Sequence, residues 1–149
     1  MKKIIKKILF IGLIIFLLMQ LYQPARNESF EQDITANFTK VYNVPKNVEA
    51  ILRTSCYDCH SNNTNYVWYD YVQPMRALVE NHIKNAKEDL NFNEWGTYSN
   101  RKQERLLNSI KEQIETKQMP LSSYTIMHKK AKLNDEQIKV LTNWLKKQE

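Results

Sequence analysis

The chain has 149 residues, 26% of them charged, with 22 Lys and Arg against 16 Asp and Glu and a formal net charge of +6. Four of the basic residues, Lys2, Lys3, Lys6 and Lys7, stand at the extreme N-terminus. The remainder therefore holds 18 basic against 16 acidic residues, and a nucleic-acid-binding surface finds no support. Only one glycine, Gly96, follows residue 22; this is too few for a fold built on tight hairpins and points to helices joined by irregular loops.

The first predicted element is the N-terminal stretch "MKKIIKKILFIGLIIFLLMQLY", in which the lysines precede an apolar run from Ile8 to Met19. Positive residues ahead of such a run hold the N-terminus in the cytoplasm and send the downstream chain across the membrane. No small-residue cleavage pattern comes after the run, since Gln20, Leu21, Tyr22, Gln23 and Pro24 are next. Residues 1–22 are therefore expected to be a retained signal anchor that spans the membrane, with a mature N-terminus near Ala25 as the competing outcome. Residues 23–44 read as a polar tether and residues 45–149 as one domain, on the outer side of the membrane.

Pro45 stands in the first turn of a predicted helix, where its missing N–H costs nothing. Val48, Ile51 and Leu52 follow at helical spacing and lead into "SCYDCH", Ser55 to His60. The segment "SNNTNYVWYDYVQ" is loop-like at first and then crowded with Tyr66, Trp68, Tyr69 and Tyr71, which are expected in a pocket wall or core rather than as electron relays. From Pro74, the residues Met75, Leu78, Val79, Ile83, Ala86 and Leu90 form one helical stripe that contains His82. His82 is expected to be a core imidazole with hydrogen-bonded nitrogens. Asn100, with Gln103 completing a capping box, is expected to start a helix carrying Leu106, Leu107, Ile110 and Ile114. That helix stops at Met119-Pro120, and a long irregular loop comes after it. Asn134 and Gln137 form a second capping box, Leu133 and Ile138 a hydrophobic staple, and Ile138, Leu141, Trp144 and Leu145 the buried face of the last helix.

The chemistry concentrates in "CYDCH". On a helix, Cys56, Cys59 and His60 occupy positions i, i+3 and i+4 and project from one face. Covalent haem attachment needs that cluster: two thiols add to two vinyl groups, and the adjacent histidine binds the iron. A structural zinc requires four ligands, and His82 and His128 lack the paired spacing of zinc modules. A thioredoxin-like pair expects a βαβ setting that this chain lacks. A plain disulfide gives no reason for the histidine. The expectation is one covalent haem c, on Cys56 and Cys59, with His60 as proximal iron ligand.

The stretches "CYDCHSNNTNYVWYDYVQP", "HIKNAKEDLNFNEW" and "KQMPLSSYTIMHKKAKLNDEQIKVLTNWL" resemble the cytochrome c-like haem-binding domain family of small membrane-anchored bacterial proteins. The likeness covers about Val48 to Leu145, with one departure: Val67 stands where proline would be expected before the Trp-Tyr pair. The resemblance implies an all-α, cytochrome c-like domain around the haem. In such a fold the distal methionine lies well downstream of the haem-binding histidine, so Met119 is the expected distal iron ligand. Met127, His128 and His82 are its rivals.

The function expected is single-electron transfer outside the cytoplasm, by a carrier tethered to membrane lipid through its N-terminal helix. The redox partner is unidentified. The alternative is a haem-based sensor or gas-binding module with an open or weakly capped iron. No other catalytic constellation is present, and a peroxidase-like activity has only His82 as an acid–base candidate.

Overall fold

The computed structural model describes residues 1–29 and 36–148. Among these there is no strand, only an isolated antiparallel bridge between Glu28 and Asn63, and the all-helical class expected from the glycine shortage is what the structure has. The α-helices are α1 (Lys2–Met19), α2 (Phe38–Val41), α3 (Lys46–Ser55), α4 (Tyr57–His60), α5 (Met75–Asp89), α6 (Asn100–Glu115), α7 (Ser122–Met127) and α8 (Asp135–Leu145). Short 3₁₀ turns occupy Trp68–Tyr71, Phe92–Thr97 and Lys129–Ala131.

The periodic stripes of α3, α6 and α8 meet in one core. Val48 and Leu52, Leu106, Leu107 and Ile114, and Leu141 and Leu145 are all buried together with Phe38, Phe92 and Trp95. Each such aliphatic side chain contributes about 1.5–3 kcal/mol on removal from water. The start of α8 is the capping box expected of it: Asn134 Oδ1 accepts from Gln137 N at 2.8 Å and Asn134 N donates to Gln137 Oε1 at 3.0 Å. The start of α6 differs. Ser99 is the cap, accepting from Lys102 N at 3.4 Å, while the Gln103 amide turns inward to the carbonyls of Trp95 and Tyr98. Gln103 gains two backbone acceptors there that a capping box would not have offered it.

Two expectations about the N-terminal third are corrected. Among the described residues no helix is long and apolar enough to cross a membrane. Helix α1 carries four lysines, and its lysine-free part, Ile8–Met19, rises about 18 Å at ~1.5 Å per residue against the ~30 Å hydrocarbon core. The end of α1 is also bonded to the domain. Gln73 N donates to Gln20 Oε1 at 3.0 Å, Gln73 Nε2 to the Tyr22 carbonyl at 2.6 Å, and the Arg76 guanidinium to the Gln23 side chain and to the Pro24 carbonyl.

The segment expected to be a tether is largely part of the fold. Asn27 Nδ2 donates to the Ser61 carbonyl at 2.8 Å and to Thr64 Oγ1 at 3.0 Å. Phe38 is 0% exposed, with ring centroids 4.7 Å from Trp95, 5.1 Å from Phe92 and 5.7 Å from Trp144. Gly96 permits this docking: its N–H donates to the Ala36 carbonyl at 2.8 Å, and a Cβ there would stand 3.0 Å from the Ala36 Cα. Residues 30–35, also expected in the tether, lie outside the described residues.

Candidate functional site

Helix α3 does not run unbroken through the two-cysteine motif. Cys56 keeps one helical bond, donating its N–H to the Leu52 carbonyl at 2.8 Å, but its backbone turns to φ −125° and the next turn is α4. The kink sends Tyr57 into the core, where its ring stacks on Phe92 at 5.0 Å and 5°, while Cys56 and Cys59 stay on the wall of a cavity of about 380 Å³. The same cavity is lined by His60, by His82 from α5, and by Met119. An adjoining cavity of about 120 Å³ shares Cys59, His82, Leu121 and Tyr124 with it. Met127 and His128 line only this smaller space. The fold thus brings Cys56, Cys59, His60 and Met119 to one cavity and leaves two of the three rivals of Met119 beside it.

His60 is held at one ring nitrogen. Its Nδ1 lies 3.1 Å from the Ala86 carbonyl and 3.0 Å from the Leu90 carbonyl at the end of α5. Both partners are acceptors, so Nδ1 carries the hydrogen and Nε2 keeps its lone pair. Burial lowers the imidazole pKa below its ordinary value, against the opposing pull of those carbonyls, and the ring stays neutral. A histidine fixed by a backbone acceptor on one nitrogen is the arrangement that orients a metal ligand on the other.

Cys56 and Cys59 are free cysteines, so the expected chemistry does not have to break a disulfide. Burial pushes the Cys56 thiol up to about 12 and the Cys59 thiol up to about 11, with the neighbouring Cys59 and Asp58 charges, respectively, adding to the rise. Both therefore remain S–H at neutral pH.

Met119 is delivered by the end of α6. Lys117 adopts a left-handed φ of 57°, its N–H returns to the Ile114 carbonyl at 3.1 Å, and the Gln118 and Met119 amides return to the Gln113 carbonyl at 2.9 and 3.1 Å. This closure of the helix end turns the chain back over the cavity.

His82 departs from expectation. It is exposed and lines both cavities, whereas Ile83, one position on, is buried. The aromatic cluster also divides. Tyr69 lines the smaller cavity, whereas Trp68 is 76% exposed and Tyr71 is also exposed. The stretch after Pro120, expected to be an irregular loop, contains α7, whose Tyr124 lines both cavities.

The residues present fit a haem. The two cavities share four lining residues and have largely apolar walls, which include Leu106, Ile110 and Ile114 in the larger and Leu78 and Val79 in the smaller. Leu78 is 52% exposed and Met127 58% exposed at its mouth, side chains that a large flat apolar group would cover. Two thiols, an imidazole with a free Nε2 and a thioether line the larger cavity. A larger groove of about 790 Å³ between residues 22–27 and α5 is bordered by Glu80, Lys84, Lys87 and Glu88 and holds no cysteine or histidine.

A family model described as a haem-binding domain matches residues 14–147, which include all of these side chains. No curated protein and no solved structure matches the chain.

Proposed function

Because the chain belongs to the haem-binding domain family, we propose that it is a c-type cytochrome carrying one covalent haem c and passing single electrons on the outer side of the cell membrane. The observation that carries the reading is the single cavity wall holding two free thiols, an imidazole with Nε2 unprotonated, and a thioether.

Cys56 and Cys59 would hold the group covalently, each by addition of its S–H across a vinyl double bond, Sγ to one carbon and the hydrogen to the other, a step that consumes no oxidant. Burial, which keeps both groups as thiols, holds that hydrogen in place. His60, its ring fixed by the Ala86 and Leu90 carbonyls, would hold the iron through Nε2. Met119, on the same cavity wall, would supply a thioether ligand, which would raise the potential toward the range of an electron carrier. The haem itself supplies an iron that cycles between ferrous and ferric states. The apolar walls of the cavities exclude water from that iron.

Helix α1 has none of its residues buried, and its apolar side chains from Ile8 to Met19 are exposed. We read this exposed apolar surface as lying in the membrane interface, since its lysine-free part is too short to cross the hydrocarbon core. The lysine-led apolar helix supports a location at the membrane.

Absorption spectra of both oxidation states, with and without carbon monoxide, test the reading. A carrier gives six-coordinate iron in both states and resists carbon monoxide. A ferrous form that is five-coordinate and binds carbon monoxide at once would replace it with the sensor or gas-binding reading.

A further inference from the structure

Attachment chemistry uses Cys56, Cys59 and His60, which leaves Asp58, carried between the two cysteines, without a role. Its carboxylate is the junction of three polar contacts. Oδ2 accepts from the Tyr124 hydroxyl at 2.6 Å, and Oδ1 accepts from Asn65 Nδ2 at 2.9 Å and from Asn65 N at 3.2 Å. Burial and the Asp58 carboxylate push the Tyr124 hydroxyl well above its ordinary pKa, so it stays protonated and donates.

Tyr124 belongs to α7, the helix that begins three residues after Met119, and α7 contributes no buried residue to the core. Ile126 is 69% exposed and Met127 is exposed too. Hydrophobic burial therefore does not hold α7 where it is. What holds it are two polar ties. One is the Tyr124–Asp58 bond. The other is His128, whose Nε2 lies 2.7 Å from the Tyr69 hydroxyl and whose ring stacks on Tyr124 at 4.1 Å and 12°. Tyr124 also forms part of both cavity walls.

We infer that Asp58 is a positioning residue: through Tyr124 it fastens the Met119–Met127 segment over the cavity, so that the turn bonded to the haem also sets the distal side. The inference rests on the haem reading above. It gives the carboxylate inside the two-cysteine motif a task distinct from attachment, and it couples the two faces of the haem through one side chain. The bond from a phenol to a carboxylate is of the charge-assisted kind, about twice as strong as a neutral pair. Tyr124→Phe removes the hydroxyl but keeps the ring on His128, so it separates the latch from the stacking.

The experiment is amide hydrogen exchange on the haem-loaded full chain, together with the rate of carbon monoxide binding to the ferrous form. The variants are Tyr124→Phe, Asp58→Ala and the double variant. Exchange in residues 119–128 should quicken by about tenfold or more in each single variant. Carbon monoxide binding should quicken with it, α8 amides should be unaffected, and the double variant should be no worse than either single one. If Asp58→Ala fails to fold, Tyr124→Phe alone decides. Haem-loaded Tyr124→Phe with unchanged exchange in 119–128, or single effects that simply add in the double variant, would overturn the inference and leave the haem reading standing. A wild-type chain that takes up no covalent haem would overturn both.

Discussion

Replacing Phe38 with alanine tests whether the segment before α3 is built into the domain. Phe38 is 0% exposed and makes edge contacts with four aromatic rings, those of Tyr42, Phe92, Trp95 and Trp144. A buried Phe→Ala change costs about 3–5 kcal/mol. The four ring partners are large and mutually packed, so the void has little means of collapsing and the cost should fall in the upper half of that range, about 4 kcal/mol. At roughly 3 °C per kcal/mol for a chain of this size, the melting temperature should drop by about 12 °C. The loss should reach the site, because Phe92 touches Phe38 on one side and stacks on Tyr57 of the two-cysteine turn on the other. Urea unfolding of the haem-loaded chain, followed by circular dichroism, gives the measurement, with the midpoint moving and the slope unchanged. A loss below about 1 kcal/mol would refute the packing argument and return residues 36–44 to the role of a tether.

Lys117→Gly should stabilise the chain by about 1 kcal/mol in the same assay, since glycine adopts the left-handed φ that Lys117 holds at 57° without the steric penalty; a destabilised variant would contradict the account of how α6 ends. Met119→Ala should remove the weak red charge-transfer band that sulfur ligation gives ferric haem and should open the iron to carbon monoxide. A wild-type protein without that band would shift the distal ligand to His82 or His128, and a variant that keeps it would shift it to Met127. Burial raises the Asp70 carboxyl above its ordinary value of 3.8, with the Val67 N–H and the His128 charge pulling the other way. The folded chain therefore holds a proton that the unfolded chain has released, and stability should fall as pH rises from about 3.8 through the raised value. Asp70→Asn should flatten that part of a urea-midpoint-versus-pH curve, and an unaltered slope would refute the assignment.

The parts of the fold legible in the sequence are those whose signals are local. The stripes of α3, α5, α6 and α8 follow from apolar spacing, and the Asn134–Gln137 capping box needs only two side chains three residues apart. The elements that escape such a reading depend on partners distant in sequence. Nothing near Phe38 marks it as a core residue; its ring is buried by Phe92, Trp95 and Trp144, more than fifty residues away. His82 sits in an apolar stripe, but that stripe on α5 borders a cavity, with Leu78, Val79, His82 and Ile83 all lining the smaller one, and no periodicity distinguishes a cavity wall from a core face.

The candidate site divides in the same way. Cys56, Cys59 and His60 stand out because thiols and an imidazole at that spacing have few other uses. The carbonyls of Ala86 and Leu90 that orient His60 have no side-chain signature at all. Tyr124 is hidden in a stretch whose proline and serines read as loop. The four-lysine start of α1 is plain in the sequence as the flank of a spanning helix, whereas in the structure the lysines occupy the helix itself and shorten its apolar part.

Extraction of the purified protein with acidified acetone tests whether Cys56 and Cys59 carry haem through covalent bonds. The chain is matured in a host that has haem-attachment machinery, and the polypeptide is then stained for haem on a denaturing gel. The haem should stay with the polypeptide, with attachment weakened or lost in Cys56→Ala and in Cys59→Ala singly and absent when both are replaced. Haem that washes entirely into the acetone from the unmodified chain would contradict it.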